Sequence, residues 1–425
     1  MADQHVVYVP RLVDASLAET LATFPAALLL GPRASGKTTS ARRIASNIVE
    51  LDDPPQAAPF HADPSAALLA RLRQRGTGRV GPVLLDEWQA VPEVLGAVKR
   101  AVDQGAQPGS FLLTGSVRAA LTANPWAGTG RVIEVDMYPM TVLELQGRQR
   151  PCTEFIEQTF AGRAADLALP PELPNMVDYV DLAIVGRYPP VVRLDAPKRR
   201  AWLRSYAEQL VLRDAPELGE IRDPAGLRRL LRAITEHTAG VVADTELAVA
   251  ADINVKTVRR QERLLEDLRI VEPLAPWHSN RIKRLVKARK RYVVDTGLAA
   301  VVLGIDAAAV LSHGGLLGSM LDTFVMAQLR PLLGLSALGV RAYHLRQQDG
   351  KHEVDIVLEA SDGRLVGLEV KATASPSKGD ARHLCWLRDQ LGDQFAAGIV
   401  LNTGRWIFPL GERITAVPIA ALWGS

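Results

Sequence analysis

The stretch Ala27-Leu28-Leu29-Leu30-Gly31-Pro32-Arg33-Ala34-Ser35-Gly36-Lys37-Thr38-Thr39 decides the reading of this chain. A short apolar run leads into Gly-x4-Gly-Lys-Thr, and a helical stretch from Ser40 to Ile44 follows, which is the strand, phosphate loop and helix order. Gly31 and Gly36 permit a tight backbone that aims N–H groups at a β-phosphate, at the positive end of the following helix. The Lys37 ammonium is expected over the β- and γ-phosphates, and the Thr38 hydroxyl on Mg2+. The expected nucleotide contacts are therefore Gly31, Pro32, Arg33, Ala34, Ser35, Gly36, Lys37, Thr38 and Thr39, with ATP and Mg2+ as the ligands.

Working outward, Val83-Leu84-Leu85-Asp86-Glu87 places two carboxylates at the end of a second apolar run. Asp86 is expected to hold Mg2+ through water, with Thr38, and Glu87 to polarise the attacking water as general base. The next apolar run, Phe111-Leu112-Leu113, ends in Thr114-Gly115-Ser116 and puts a hydroxyl, Ser116, beside the γ-phosphate. Hydrolysis also needs a cation for the charge of the transition state, commonly an arginine from a neighbouring subunit. Arg131, after Ala127-Gly128-Thr129-Gly130, is the first choice and Arg118 the second. A finger acting between subunits implies a homo-oligomer, such as a ring.

The chain of 425 residues allows about three domains. Its two cysteines, Cys152 and Cys385, exclude a disulfide scaffold and a thiolate zinc site. A hydrophobic content of 48% and a charged content of 23% are ordinary globular values. No apolar run approaches the ~18 residues of a membrane span. The opening Met-Ala-Asp-Gln-His has no basic region followed by an apolar core, so a cytoplasmic protein without membrane partners is expected. The net charge of +3 is unevenly spread: Pro197 to Ala300 holds 21 Lys/Arg against 14 Asp/Glu. That excess of seven concentrates in Arg281, Lys283, Arg284, Lys287, Arg289, Lys290 and Arg291, a cluster that suits a polyanionic partner.

The first ~140 residues alternate strand and helix signals, which predicts βα units and a parallel sheet. Tyr138-Pro139, Pro170-Pro171, Pro174 and Gly186 to Pro190 then break the pattern. Four intervals result: 1–145, an ATPase-type α/β domain; 146–222, a helical linker; 223–300, a helix-turn-helix unit; and 301–425, a third α/β unit. In the helix-turn-helix unit, Asp223-Pro224 opens one helix, Asp244 caps a short second one, and Val255 to Leu268 form a third. The third helix turns Val258, Leu264, Leu265 and Leu268 inward and Lys256, Arg259, Arg260 and Arg263 outward. Strands Ile270 to Leu274 and Tyr292 to Val294 would complete a winged-helix fold with a basic wing carrying Arg281, Lys283, Arg284 and Lys287. Phosphate contacts from these residues would bind DNA with little sequence preference.

Near the C-terminus, Glu353-Val354-Asp355 and Leu368-Glu369-Val370-Lys371 read as two strands of a hairpin turned at Ser361-Asp362-Gly363. Glu369 and Lys371 share a strand face, and Asp355 on the partner strand can meet them. This is the D-(X)n-ExK pattern of restriction-endonuclease-like folds. There, carboxylates such as Asp355 and Glu369, joined by Asp322 from the preceding helix, bind Mg2+, and the metal with Lys371 activates water against a phosphodiester.

Taken together, the chain resembles the bacterial and archaeal AAA-type ATPases that carry a C-terminal domain of unknown function with a restriction-endonuclease-like core. The pieces that carry the resemblance are Gly31 to Thr38, Val83 to Glu87 with Trp88 and Pro92, Phe111 to Ser116, Gly128 to Arg131, Gly186 to Pro189, Tyr206 to Asp214, Asp295 to Leu298, Gly318 to Val325 and Glu353 to Lys371. The resemblance implies an ATPase domain, a winged-helix middle and a nuclease-like end. The family usually has Glu where this chain has Asp322, one methylene shorter. Two functions are expected: a DNA-binding ATPase that remodels or processes DNA, with metal-dependent cleavage at its C-terminal end, or a nucleotide-switched regulatory or assembly protein whose nuclease-like domain is inert.

Overall fold

A computed structural model describes residues 8–74, 81–116, 129–147, 153–218, 221, 223–278, 288–347 and 351–424. The N-terminal sheet comprises β1 (Ala26–Leu30), β2 (Asn47–Glu50), β3 (Val83–Asp86), β4 (Phe111–Gly115) and β5 (Ile133–Asp136), in the order β2-β3-β4-β1-β5. All its pairings are parallel. β1, β3 and β4 are buried along their whole length, as their continuous apolar runs require when both faces of a parallel sheet are covered. Because β4 lies between β1 and β3, the loop after β1 and the carboxylate ending β3 meet across the end of β4. That order, invisible in the linear spacing, assembles the phosphate site.

The middle unit has helices Pro224–Glu236, Asp244–Ala251 and Val255–Asp267, followed by β6 (Val271–Leu274) and β7 (Lys290–Val293). β6 and β7 pair antiparallel, and Gly240 adds a bridge to Arg291. Asn254 caps the third helix by accepting from Thr257 N at 2.8 Å, and Asp252 at φ +52° ends the second. The third helix buries Val258, Leu264 and Leu265 and exposes Lys256, Arg259, Arg260 and Arg263. Its apolar stripe, spaced at helical period, drives that orientation.

The C-terminal unit runs from a 20-residue helix, Gly314–Leu333, through β8 (Arg341–Arg346), β9 (Glu353–Glu359) and β10 (Leu365–Lys371) to helix Arg382–Leu391 and β11 (Phe395–Asn402). β12 (Phe408–Gly411) and β13 (Ile414–Pro418) complete a sheet ordered β12-β13-β11-β10-β9-β8. β8, β9 and β10 pair antiparallel, whereas β10 and β11 pair parallel across the intervening helix.

Residues 153–218 are shared between two cores. Phe155, Ile156, Phe160 and Tyr179 pack with Phe324, Ile356 and Trp423, and Ala420 N donates to the Tyr179 hydroxyl at 3.0 Å. Tyr188, Leu203 and Leu210 pack instead with Leu227, Leu230 and Leu265. β7 is divided in the same way: Tyr292 joins the C-terminal core and Val293 the middle one, because successive strand residues face opposite sides. Among the described residues no helix is long and apolar enough to cross a membrane.

Candidate functional site

The phosphate loop leaves β1 with no room for a side chain: a Cβ on Gly31 would meet the Met137 carbonyl oxygen at 2.2 Å. Gly36 stands at φ +101°, a backbone state that favours glycine. Lys37, 4% exposed, donates to the carbonyls of Gly31 at 3.0 Å and Pro32 at 2.9 Å. Burial lowers its ammonium to about 8 from an ordinary 10.5, against the opposing pull of Glu87 and Asp86. The Thr38 hydroxyl donates to Asp86 Oδ1 at 2.9 Å, and the Thr114 hydroxyl donates to the same oxygen. Thr38 and Asp86, adjoining the loop amides, suit a magnesium-bound polyphosphate and would hold its cation. Among the described residues Ser35 Oγ and Ser116 Oγ are buried without a hydrogen-bond partner, acceptors and donors left over for a ligand.

Glu87 sits at φ +51°, strained for a residue with a side chain, and its N–H donates to Thr114 Oγ1 at 3.4 Å. Gln89 donates to Glu87 Oε2 and orients the carboxylate. Thr114 is thus the hydroxyl that touches the acidic pair, two residues before Ser116, the hydroxyl expected beside the γ-phosphate. The pattern Thr-Gly-Ser names both, and only the pairing of β3 with β4 separates them.

Three further side chains shape the loop from a distance in sequence. Arg11 is buried and donates to the carbonyls of Ser35 and Tyr138 (2.7 Å for the latter) and to Glu144 Oε1 at 2.9 Å. Arg33 pairs with Asp214 at 2.8 Å, and the Tyr206 hydroxyl donates to the Arg33 carbonyl at 3.1 Å. Asp214 is delivered by a π-helical turn, Leu210–Asp214, that follows helix Ala196–Gln209. Arg11 carried no motif; Tyr206 to Asp214 stood among the resembling segments without a role.

Arg131 lies elsewhere. It precedes β5, whose start pairs with the start of β1, so the length of β1, roughly 13 Å, separates it from the phosphate loop. Its guanidinium pairs with Asp103 at 2.9 Å and bonds to the Thr129 carbonyl at 3.0 Å. Within one protomer it is thus directed to Asp103 and not to the phosphate loop. Arg118 lies outside the described residues. Thr39 is exposed on the helix after the loop, one residue beyond Thr38.

The C-terminal carboxylates are brought together, but around ammonium groups. Lys290 Nζ, 2% exposed, lies 2.6 Å from Asp322 Oδ2 and 3.3 Å from Asp355 Oδ1. Tyr292 donates to Asp322 Oδ1 at 3.0 Å, and Val370 N donates to Asp355 Oδ2 at 3.0 Å. Lys371 pairs with Glu369 Oε2 at 2.8 Å, while Glu369 Oε1 is buried without a partner among the described residues. Burial pulls the Lys290 ammonium down, and Asp322 outweighs it, leaving it well above its usual range. Burial pushes Glu369 well above the carboxylate range and Asp322 up to about 6, as a cluster with three acids and two ammonium groups demands. Among the described residues no group of three or more His, Cys, Asp or Glu is placed to hold a metal ion. The oxygens of Asp322 and Asp355, both expected on magnesium, face Lys290, Tyr292 and the Val370 N–H instead, and of Glu369 only Oε2 is engaged, by Lys371.

Part of the basic cluster expected to face a polyanion is engaged by the chain's own acids instead. Lys290 and Arg291 are buried, and Arg291 bonds to Glu262 at 2.8 Å and Asp244 at 2.7 Å. Arg289 pairs with Glu262 and Glu266. All three pair with acids of the chain itself; the apolar Tyr292-Val293-Val294 run draws Lys290 and Arg291 into the interior, while Arg289 stays half-exposed. Arg281, Lys283, Arg284 and Lys287 lie outside the described residues. Lys256, Arg259, Arg260 and Arg263 stay exposed and line an open groove with Asn254 and Val255, Arg259 also pairing with Asp244 at 2.8 Å.

A parallel sheet ordered β2-β3-β4-β1-β5, with a Gly-x4-Gly-Lys-Thr loop after β1 and the Asp-Glu pair beside it, is the framework of a P-loop ATPase. Residues 23–146 match the family described as AAA domain. Residues 176–309 match a "Domain of unknown function (DUF8612)", and residues 317–422 a "Domain of unknown function (DUF4143)". The chain is 30% identical over 415 residues to "Uncharacterized protein Rv2008c" of Mycobacterium tuberculosis, spanning 96% of this chain and 83% of that one. "Uncharacterized protein Mb2031c" of Mycobacterium bovis matches with the same identity and coverage. The chain belongs to the family of these two mycobacterial proteins. Among solved structures it is similar to the Walker-type ATPase PABY2304 of Pyrococcus abyssi, at 18% identity over 69% of this chain and 96% of that one, with a TM-score of 0.44.

Proposed function

We propose that this P-loop ATPase is a DNA-binding protein that couples Mg2+-dependent ATP hydrolysis to the remodelling of DNA, with its C-terminal domain acting as a binding module. The observation that carries the reading is the third helix of the middle unit, which buries one apolar stripe and presents Lys256, Arg259, Arg260 and Arg263 to solvent. Three helices followed by two antiparallel strands, with a bridge between the first two helices and β7, support a winged-helix assignment for this unit. The order helix, three antiparallel strands, helix, parallel strand supports a restriction-endonuclease-like core for the last one.

In the ATPase domain, Lys37 would leave the Gly31 and Pro32 carbonyls for the phosphates, Thr38 and Asp86 would hold the cation, and Glu87 would take the proton of the attacking water. The chemistry that ATP supplies is phosphoryl transfer to water. Arg131, kept from its own site by the length of β1, fits a role in a neighbouring protomer's site. ATP hydrolysis measured with duplex, branched and single-stranded DNA tests the main proposal. Stimulation with binding that weakens steeply as salt rises is expected; the absence of both would leave the nucleotide-switched assembly protein as the better reading. For the finger, mixing Arg131→Ala with Lys37→Ala protomers should restore hydrolysis that each lacks alone, whereas no restoration would place the finger elsewhere.

A further inference from the structure

Sheet geometry puts Lys290 into a carboxylate cluster that belongs to another unit of the chain. β7 pairs with β6 in a fixed register, Lys290 opposite Leu274 and Tyr292 opposite Glu272. Lys290 and Tyr292 share one strand face and both reach Asp322, at 2.6 Å and 3.0 Å. Arg291, on the other face, is held by Glu262 and by the Val242 carbonyl. A one-residue slip would exchange the two faces, expelling Lys290 and burying Arg291 among the acids, so the register strongly specifies this placement. The helix Gly314–Leu333 supplies Asp322, β9 supplies Asp355, and both carboxylates converge on one nitrogen.

We infer that the ammonium of Lys290 is the resident cation of the Asp322–Asp355 cluster, occupying the place of a divalent metal and joining the middle unit to the C-terminal unit. A Mg2+ ion binds carboxylate oxygens at about 2.0–2.1 Å. With Nζ at 2.6 Å and 3.3 Å from one oxygen of each acid, an ion bridging those oxygens would overlap the ammonium. The remaining oxygens are taken by Tyr292 and the Val370 N–H. An ammonium fixed on a strand has the sign of charge that the cluster needs without requiring the coordination shell of a metal. Lys371 plays the matching part for Glu369 at 2.8 Å. The consequence is a C-terminal domain that is metal-independent and welded to its neighbour, whatever polymer the middle unit binds.

Mn2+ binding to the full chain without nucleotide, counted by electron paramagnetic resonance, tests this independently of any activity. The wild type and Asp355→Asn should bind the same number of Mn2+ ions, since the cluster holds none in either. Lys290→Met should bind one more, and the extra ion should vanish in the Lys290→Met, Asp355→Asn double variant. An ion bound by the wild type and lost in Asp355→Asn would overturn the inference. So would a folded Lys290→Met protein that gains no site. If Lys290→Met fails to fold, the comparison of wild type with Asp355→Asn still decides.

Discussion

Lys37 and Lys290 are both buried lysines in the same chain, at 4% and 2% exposure, yet they meet opposite electrostatic surroundings. Lys37 rests on two neutral carbonyls, with Asp86 and Glu87 contributing only from a distance, and burial lowers it to about 8. Lys290 rests on the carboxylates of Asp322 and Asp355 and is held well above its usual range. The difference separates a lysine kept for a ligand from a lysine already satisfied. An ammonium whose desolvation is not repaid by its own chain gains most when phosphates arrive, whereas one matched by carboxylates has nothing left for a partner. The same contrast runs through the arginines: Arg291 is locked to Glu262, while Arg260 and Arg263 stand exposed.

The comparison can be broken in order of expected effect. Glu87→Gln should keep ATP binding and lose about 10²–10⁴ in hydrolysis rate, measured by single-turnover phosphate release. Loss of binding instead would make Glu87 a support of the loop, as Asp322 is of Lys290. Lys290→Met leaves two carboxylates buried without their cation and should cost about 3–5 kcal/mol in denaturant unfolding. Lys37→Met should do the reverse to the nucleotide-free protein, raising its stability by about 1–3 kcal/mol near neutral pH while removing ATP binding. If both variants shift stability in the same direction, the distinction between the two lysines fails.

The lowered Lys37 also sets a pH dependence. Its folded value, about 8, lies below the ordinary 10.5, so the cost of its buried charge is fully present below pH 8 and is relieved as pH rises through that interval. Bound phosphates favour the charged form. ATP binding at pH 9 should therefore take up protons and be weaker than at pH 7, which calorimetry in buffers of different ionisation enthalpy measures. The smallest effect sharpens the arginine contrast. Arg260→Ala should reduce the slope of log affinity for DNA against log salt by about 1, whereas Arg291→Ala should act on stability and leave the slope unchanged.

Much of this was legible in the sequence. Leu28, Leu29 and Leu30 before Gly31, and the apolar runs before Asp86 and Thr114, announced a buried parallel sheet with its chemistry at the strand ends. The stripe of Val258, Leu264 and Leu265 announced which side of its helix would be exposed, and the alternation around Glu369 and Lys371 placed both on one face. These are short-range facts: a period of 3.6 or 2, or a loop closed within eight residues, depends on neighbours alone. Misreading entered where charge density stood in for accessibility. Lys290 and Arg291 counted as part of a basic surface, although the apolar residues directly after them pull the strand inside.

What tertiary structure alone decided was who partners whom. Arg11 with Glu144, Arg33 with Asp214 and Lys290 with Asp322 are each separated by tens to well over a hundred residues. No spacing rule links such pairs, because their approach follows from strand order, register and the packing of residues 153–218 across two cores. The phosphate loop could be recognised from local sequence since its ligand contacts are its own backbone and side chains. The carboxylates near the C-terminus could be picked out as well, but not the cation between Asp322 and Asp355, since Lys290 comes from a strand in another unit of the chain.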